Sequence, residues 1–392
     1  MNHCTSAVGE AEIKPFRIEI SGDKLDDLHE RIARARWPEQ LPGAPWQRGV
    51  PVQYLKELAN YWRSGYDWPR HEAKLNEIPQ FTTIIDGQMI HFLHARSPES
   101  NARPLLMIHG WPGSFVEFLD LIGPLTNPQV HGGNAKDAFH LVIPSIPGHG
   151  FSIPLGGPDW THGRCARAFA ALMARLGYER YGVQGGDTCA FQAPEIARFD
   201  EKHVLGVHLN ALVTFPPNDQ AELAGLTPSE QERLARLNNY HKNMMGYVHI
   251  QGTRPQTLSY GLNDSPVGQL AWIIEKFKEW TDPRTDLPED AVNRDRLLTN
   301  VSLYWFTGSS GTSANLYFEA FNDASLWMPR PRGTVPTAVL VSLTQDVTVR
   351  RFAEKNHHIV RWTEMERGGH FAALEAPDFF IRDLREFFGS LE

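Results

Sequence analysis

Hydrophobic spacing changes character twice along this chain. Near the start, Leu25, Leu28 and Ile32 recur at helical spacing and lead to Trp37 and Pro38. A second helical run covers 54–62, after an aromatic and proline-rich connector at 41–46. These stretches read as an appended helical arm, which with the first strands it leads into makes up 1–95. The period then shortens. Runs at 81–85 and 89–93 flank Asp86-Gly87, a dipeptide that favours a two-residue hairpin turn. Short apolar runs follow at 105–108, 141–143, 181–183, 204–209, 338–341 and 359–362. Helical stretches at 115–125, 165–176 and 190–199 lie between several of them. Eight strands alternating with helices in this way predict an α/β fold, a mostly parallel sheet covered on both faces. From 213 to 332 the strand pattern stops and helical, aromatic-rich sequence replaces it. The expected organisation is a core at 96–212 and 333–392 carrying a helical lid at 213–332.

Composition narrows the choice of partners. The formal net charge of −8 argues against nucleic acid and anionic membranes, which attract basic surfaces. About 18 consecutive apolar residues, enough for a transmembrane helix, occur nowhere. Residues 1–10 have neither the basic start nor the apolar stretch of a signal peptide. Cys4, Cys165 and Cys189 form no disulfide framework and have no metal-ligand spacing. A cytoplasmic protein without metal or cofactor is expected, with the oligomeric state, a homodimer included, left open.

Three segments carry candidate chemistry. Gly185-Gly186-Asp187-Thr188-Cys189 follows a strand and precedes a helix. Small residues two before and two after a central side chain permit a sharp bend that holds it above the sheet. By itself this pattern also suits a helix-capping Asp. His109-Gly110-Trp111-Pro112-Gly113-Ser114 follows the strand at 105–108, where α/β-hydrolases place an oxyanion-hole donor. The expected donors are the backbone N–H groups of Trp111 and Thr188. Gly368-Gly369-His370-Phe371 follows the last strand and places a general base, which needs a carboxylate to orient it. Asp346, beyond the strand at 338–341, is the candidate acid; Glu319 and Glu364 are substitutes. The loop at 147–152, with His149 and Phe151, is assigned to the pocket wall.

With these segments in view, the chain resembles the microsomal-type epoxide hydrolases, which have an N-terminal helical domain before an α/β-hydrolase core. The resemblance runs through Arg34-Ala35-Arg36-Trp37-Pro38, the loop at 109–114, Gly185-Gly186-Asp187 and the segment 367–373. Lid segments 254–257 and 265–272 share it. It implies an eight-stranded sheet, a helical lid and two lid tyrosines that activate an epoxide oxygen. By local similarity these are Tyr247 and Tyr317, with Tyr240 and Tyr260 as the next candidates. Trp272 and Phe318 are expected in the substrate pocket. The chain departs from the family at Thr188 and Cys189, where Trp or Ile and then Gly are common. It departs again at Leu343-Thr344-Gln345-Asp346, where Phe-Pro usually introduces the acid.

The residue types suit an epoxide. A carboxylate attacking an ester carbonyl would give a reactive anhydride, whereas attack on a strained sp³ carbon gives a stable ester. The leaving oxygen needs a proton, which a phenol can donate. His370, oriented by Asp346, would then activate water against the Asp187 ester, giving a vicinal diol with no cofactor. Biological roles in detoxification and biosynthesis both fit. A haloalkane dehalogenase shares the nucleophile and base but needs halide donors, typically a Trp at the Thr188 position. A Ser esterase would need Ser at 187, and a non-catalytic ligand-binding homologue would have lost Asp187 or His370.

Overall fold

Nine strands form one sheet in the computed structural model, which describes residues 12–217, 219–328 and 330–391. In chain order they are β1 (Lys14–Phe16), β2 (Gln80–Ile85), β3 (Gln88–Ala95), β4 (Arg103–Ile108) and β5 (Phe139–Pro144). They continue with β6 (Tyr181–Gly186), β7 (Val204–Asn210), β8 (Pro336–Ser342) and β9 (His358–Met365). Across the sheet the order is β1-β2-β3-β5-β4-β6-β7-β8-β9. The pairs from β1 to β5 are antiparallel, and every pair from β5 through β4 to β9 is parallel. The fold is an α/β-hydrolase fold with the eight expected strands. The ninth, β1, is three residues long, too short to leave a period in the sequence, and it extends the hairpin edge. The hairpin turn forms at Asp86 and Gly87, with φ of 51° and 72°, as a type I′ geometry requires.

Alternate residues of the central strands serve opposite faces. Leu105 and Met107 join a core that includes Phe387 and Phe388 of the final helix, Pro377–Gly389. Leu106 and Ile108 join a second core with Phe169 and Ile196, from the helices His162–Arg175 and Cys189–Phe199. Burial on both faces accounts for the nearly continuous apolar runs in β4 to β8.

Between β7 and β8 the chain leaves the sheet and runs through helices, among them Pro228–Asn243, Gly246–Thr253, Pro266–Trp280, Arg294–Thr307 and Asn315–Asn322. The N-terminal helices Gly22–Ala33, Val52–Ser64 and Trp68–Leu75 pack against this layer. Tyr54, Tyr61, Trp62 and Tyr66 of the arm hydrogen-bond to lid residues. Tyr54 donates to Glu289 at 2.6 Å and Tyr61 to Asp295 at 2.8 Å. The Trp62 indole donates to Ser302 at 2.9 Å, and the hydroxyls of Tyr66 and Thr299 meet at 2.9 Å. Among the described residues no helix is long and apolar enough to cross a membrane. Cys165 and Cys189 are buried free thiols; Cys4 and the stretch 1–10 read above lie outside the described residues.

Candidate active site

Asp187 sits between β6 and the helix Cys189–Phe199 with φ at 55°, a left-handed conformation that costs an ordinary side chain roughly 1–3 kcal/mol. The bend is tight: a Cβ on Gly185 would stand 2.6 Å from the Cys189 carbonyl oxygen. The strained turn lifts the Asp187 carboxylate clear of the sheet. Its Oδ1 accepts the Trp111 N–H at 3.1 Å, so one expected donor is already engaged. The other expected donor, the Thr188 N–H, makes no hydrogen bond to this carboxylate among the described residues. The Cys189 thiol donates to the His109 carbonyl at 3.0 Å, linking the elbow to the loop before Trp111.

His370 Nε2 lies 3.4 Å from Asp187 Oδ2. The His370 backbone is held by its own N–H, which donates to the Trp280 carbonyl at 2.8 Å, and its ring packs against the Trp280 indole at 5.0 Å. That approach explains the preceding glycine, since a Cβ on Gly369 would meet the Trp280 oxygen at 2.5 Å. Burial disfavours the imidazolium, yet the hydrogen bond and charge of Asp187, then the charges of Asp346 and Glu117, leave the His370 pKa raised.

Asp346 is buried at the end of the β8 loop, and its Oδ2 accepts the Ser342 N–H at 2.6 Å. Burial pushes its carboxyl up to about 6, against the pull of that N–H and of His370. Its effect on His370 is electrostatic; among the described residues no hydrogen bond joins the two. The substitutes lie elsewhere. Glu364 pairs with Arg233 at 2.7 Å, and Glu319 accepts the Asp159 N–H at 3.0 Å.

Above Asp187 opens a cavity of about 410 Å³ whose wall includes Asp346, His370, Tyr240, Tyr247 and Tyr317. Tyr247 stacks on the Trp111 indole at 5.1 Å, and Tyr317 meets the same indole edge-on at 5.8 Å. Among the described residues the buried Tyr317 hydroxyl has no hydrogen-bond partner, while the Tyr247 and Tyr240 hydroxyls share a bond of 2.8 Å. Burial, then neighbouring phenols and the Asp187 charge, hold the Tyr247 phenol well above its ordinary range. Burial and Asp187 do the same to Tyr317.

Tyr260 is 71% exposed and takes no part. The four residues expected in the pocket wall are also placed outside it. The His149 ring turns inward against His109 and Tyr304, and Phe151 packs on Phe16 and His91. Trp272 directs its indole N–H to Gln251 at 2.9 Å, and Phe318 faces outward at 38% exposure. The wall is built instead from residues the sequence reading passed over, among them Phe191, Phe215, Met244, Met245, Trp280 and Phe321.

Comparison with known proteins identifies the family of the chain. Residues 13–118 match the family model for the epoxide hydrolase N terminus, and residues 103–249 that for the alpha/beta hydrolase fold. A protein of Stigmatella aurantiaca, provisionally named an epoxide hydrolase, is 44% identical over 97% of this chain and 85% of its own length. Epoxide hydrolase 1 of Sus scrofa is 36% identical over 99% of this chain and 91% of its own. The crystal structure of juvenile hormone epoxide hydrolase from Bombyx mori superposes with a TM-score of 0.88 at 35% identity, covering 97% of this chain and 95% of that one.

Proposed function

We propose that this chain, which belongs to the microsomal-type epoxide hydrolases and converts an epoxide and water to a vicinal diol, works through an ester on Asp187. One observation carries the reading. The Asp187 carboxylate is held between the Trp111 N–H and His370 and faces a cavity that Tyr247 and Tyr317 also line.

Asp187 attacks an epoxide carbon, the ring C–O bond breaks, and the oxygen takes a proton from Tyr247 or Tyr317. The Asp187 charge itself helps keep these phenols protonated at rest. Esterification removes that charge, so the phenols become stronger acids as the proton is needed. In the second half, His370 takes a proton from water, whose oxygen adds to the Asp187 ester carbonyl. Loss of the Asp187 charge also lowers the His370 pKa, which favours the neutral base at this stage. The oxyanion forms where the Trp111 N–H already points, with the Thr188 N–H as second donor, a contribution of about 3 kcal/mol per donor.

Phe191, Met244, Met245 and Phe321 in the cavity wall favour an apolar epoxide. The buried free thiols Cys165 and Cys189 suit the reducing cytoplasm. Thr188 beside the nucleophile and phenols in the lid favour an oxygen leaving group over a halide.

The decisive experiment is intact mass of a His370→Gln variant after exposure to styrene oxide and a panel of alkyl epoxides. A gain of one epoxide mass on the peptide containing Asp187 is expected. Diol formation without any adduct, or an adduct elsewhere, would overturn the reading.

A further inference from the structure

Behind the nucleophile, on the side of Gly110 and the final helix, lies a second and much smaller chamber of about 10 Å³. Its polar wall consists of Glu117, Gln184, Asn210, Asp187 and His370. Asp187 and His370 also line the large cavity, so the pair separates the two spaces. A chamber of this size takes one water and nothing larger.

Resting on the Asp187 reading above, we propose that Glu117 and Gln184 hold the hydrolytic water in this chamber, apart from the space that takes the epoxide. Both are positioning residues that act through that water. Gln184 is 1% exposed; its amide N–H donates to Asn210 at 2.9 Å, while its buried Oε1 has no hydrogen-bond partner among the described residues. Such an acceptor is unfavourable unless a donor reaches it. Glu117 is carried on the short 3₁₀ turn Phe115–Phe118, whose two phenylalanines are buried. The turn is braced from the lid: Ser114 donates to Asn300 at 2.7 Å, and the Tyr304 hydroxyl donates to the Gly113 carbonyl at 2.7 Å.

The water gives one proton to His370 Nε2 as its oxygen bonds to the Asp187 carbonyl carbon. Its second O–H is directed by the acceptor oxygens of Glu117 and Gln184. The tetrahedral adduct collapses, the bond from the carbonyl carbon to the alkyl oxygen breaks, and His370 returns the proton to that oxygen. Asp187 is released with one oxygen derived from water, and its carboxyl proton passes to the tyrosinate left by ring opening, which restores both groups. Burial, reinforced by Asp187, pushes the Glu117 carboxyl up to about 8 against the pull of His370 and a backbone bond from Gly110.

The test is rapid-quench mass analysis of ester formation and decay with styrene oxide in wild type, Glu117→Leu, Glu117→Gln and Gln184→Met. Ester formation should stay within about threefold of wild type in all of them. Ester decay should slow roughly a hundredfold in Glu117→Leu and in Gln184→Met, so that alkylated enzyme accumulates during turnover. Glu117→Gln, which keeps an acceptor oxygen, should recover most of that loss. If Glu117→Leu does not fold, Gln184→Met decides. Decay at the wild-type rate, or formation and decay falling by the same factor, overturns the proposal. If an ester does not form even in His370→Gln, the Asp187 reading falls and takes this one with it. An ester whose decay ignores both residues overturns the water chamber alone.

Discussion

His370 Nε2 faces one oxygen of Asp187 at 3.4 Å, while the other oxygen is taken by the Trp111 N–H. The pairing raises the His370 pKa against the opposing effect of burial. A group whose folded pKa lies above its unfolded value contributes stability below the unfolded value, about 6.5 for His, and loses it as pH rises through the folded value. Asp187→Asn should therefore lower the His370 pKa and remove that contribution. Histidine titration by NMR in the two proteins measures it, and an unmoved titration would contradict the pairing.

The tyrosines should act on one half-reaction. Tyr247→Phe and Tyr317→Phe should each slow ester formation about a hundredfold or more, the usual contribution of a placed acid, and leave ester decay nearly unchanged. Tyr240→Phe removes only the 2.8 Å bond to Tyr247 and should cost less. Single-turnover kinetics separates the steps; if the Phe variants alkylate at the wild-type rate, the phenols are not the proton donors.

Asp346→Asn should have the opposite signature. Its carboxyl is raised by burial to about 6, so it gains its charge, and its hold on an imidazolium, as pH rises through that value. Ester decay in wild type should accelerate over the same interval. In Asp346→Asn decay should be slower by roughly a hundredfold or more and ester formation close to wild type. Equal losses in both steps would point to a misplaced backbone instead.

The arm should stabilise the lid. Trp62→Phe leaves most of the buried ring surface in place but removes the donor to Ser302, which costs about 1–3 kcal/mol. Trp62→Ala should cost about 3–5 kcal/mol through the cavity it opens. Urea denaturation gives both numbers, and an unchanged midpoint in Trp62→Ala would show that the arm does not support the fold.

What could be read from the sequence follows the range of the interactions involved. Asp187, Trp111 and His370 stand in contiguous turns, where glycines record backbone that must bend or pass close by. Tyr247 and Tyr317 needed a family resemblance, because the order of residues in a helical insertion does not reveal which face looks inward. The same limit accounts for His149, Phe151, Trp272 and Phe318. Each is an aromatic near the site in sequence, but packing against Tyr304, Phe16, Gln251 or solvent decides its direction. Glu117 went unnoticed because a single acid near a helix start reads as a solvated cap. The signal was its setting, a lone carboxylate among Phe115, Val116 and Phe118.

Trp111 serves two masters. Its amide holds the nucleophile, and its indole is the floor on which Tyr247 lies and against which Tyr317 stands. A change that reshapes one function disturbs the other, so natural drift toward new epoxides has little freedom here. Such drift has room at Met244, Met245, Phe191 and Phe321, where the wall can be recut while the reaction centre stays as it is.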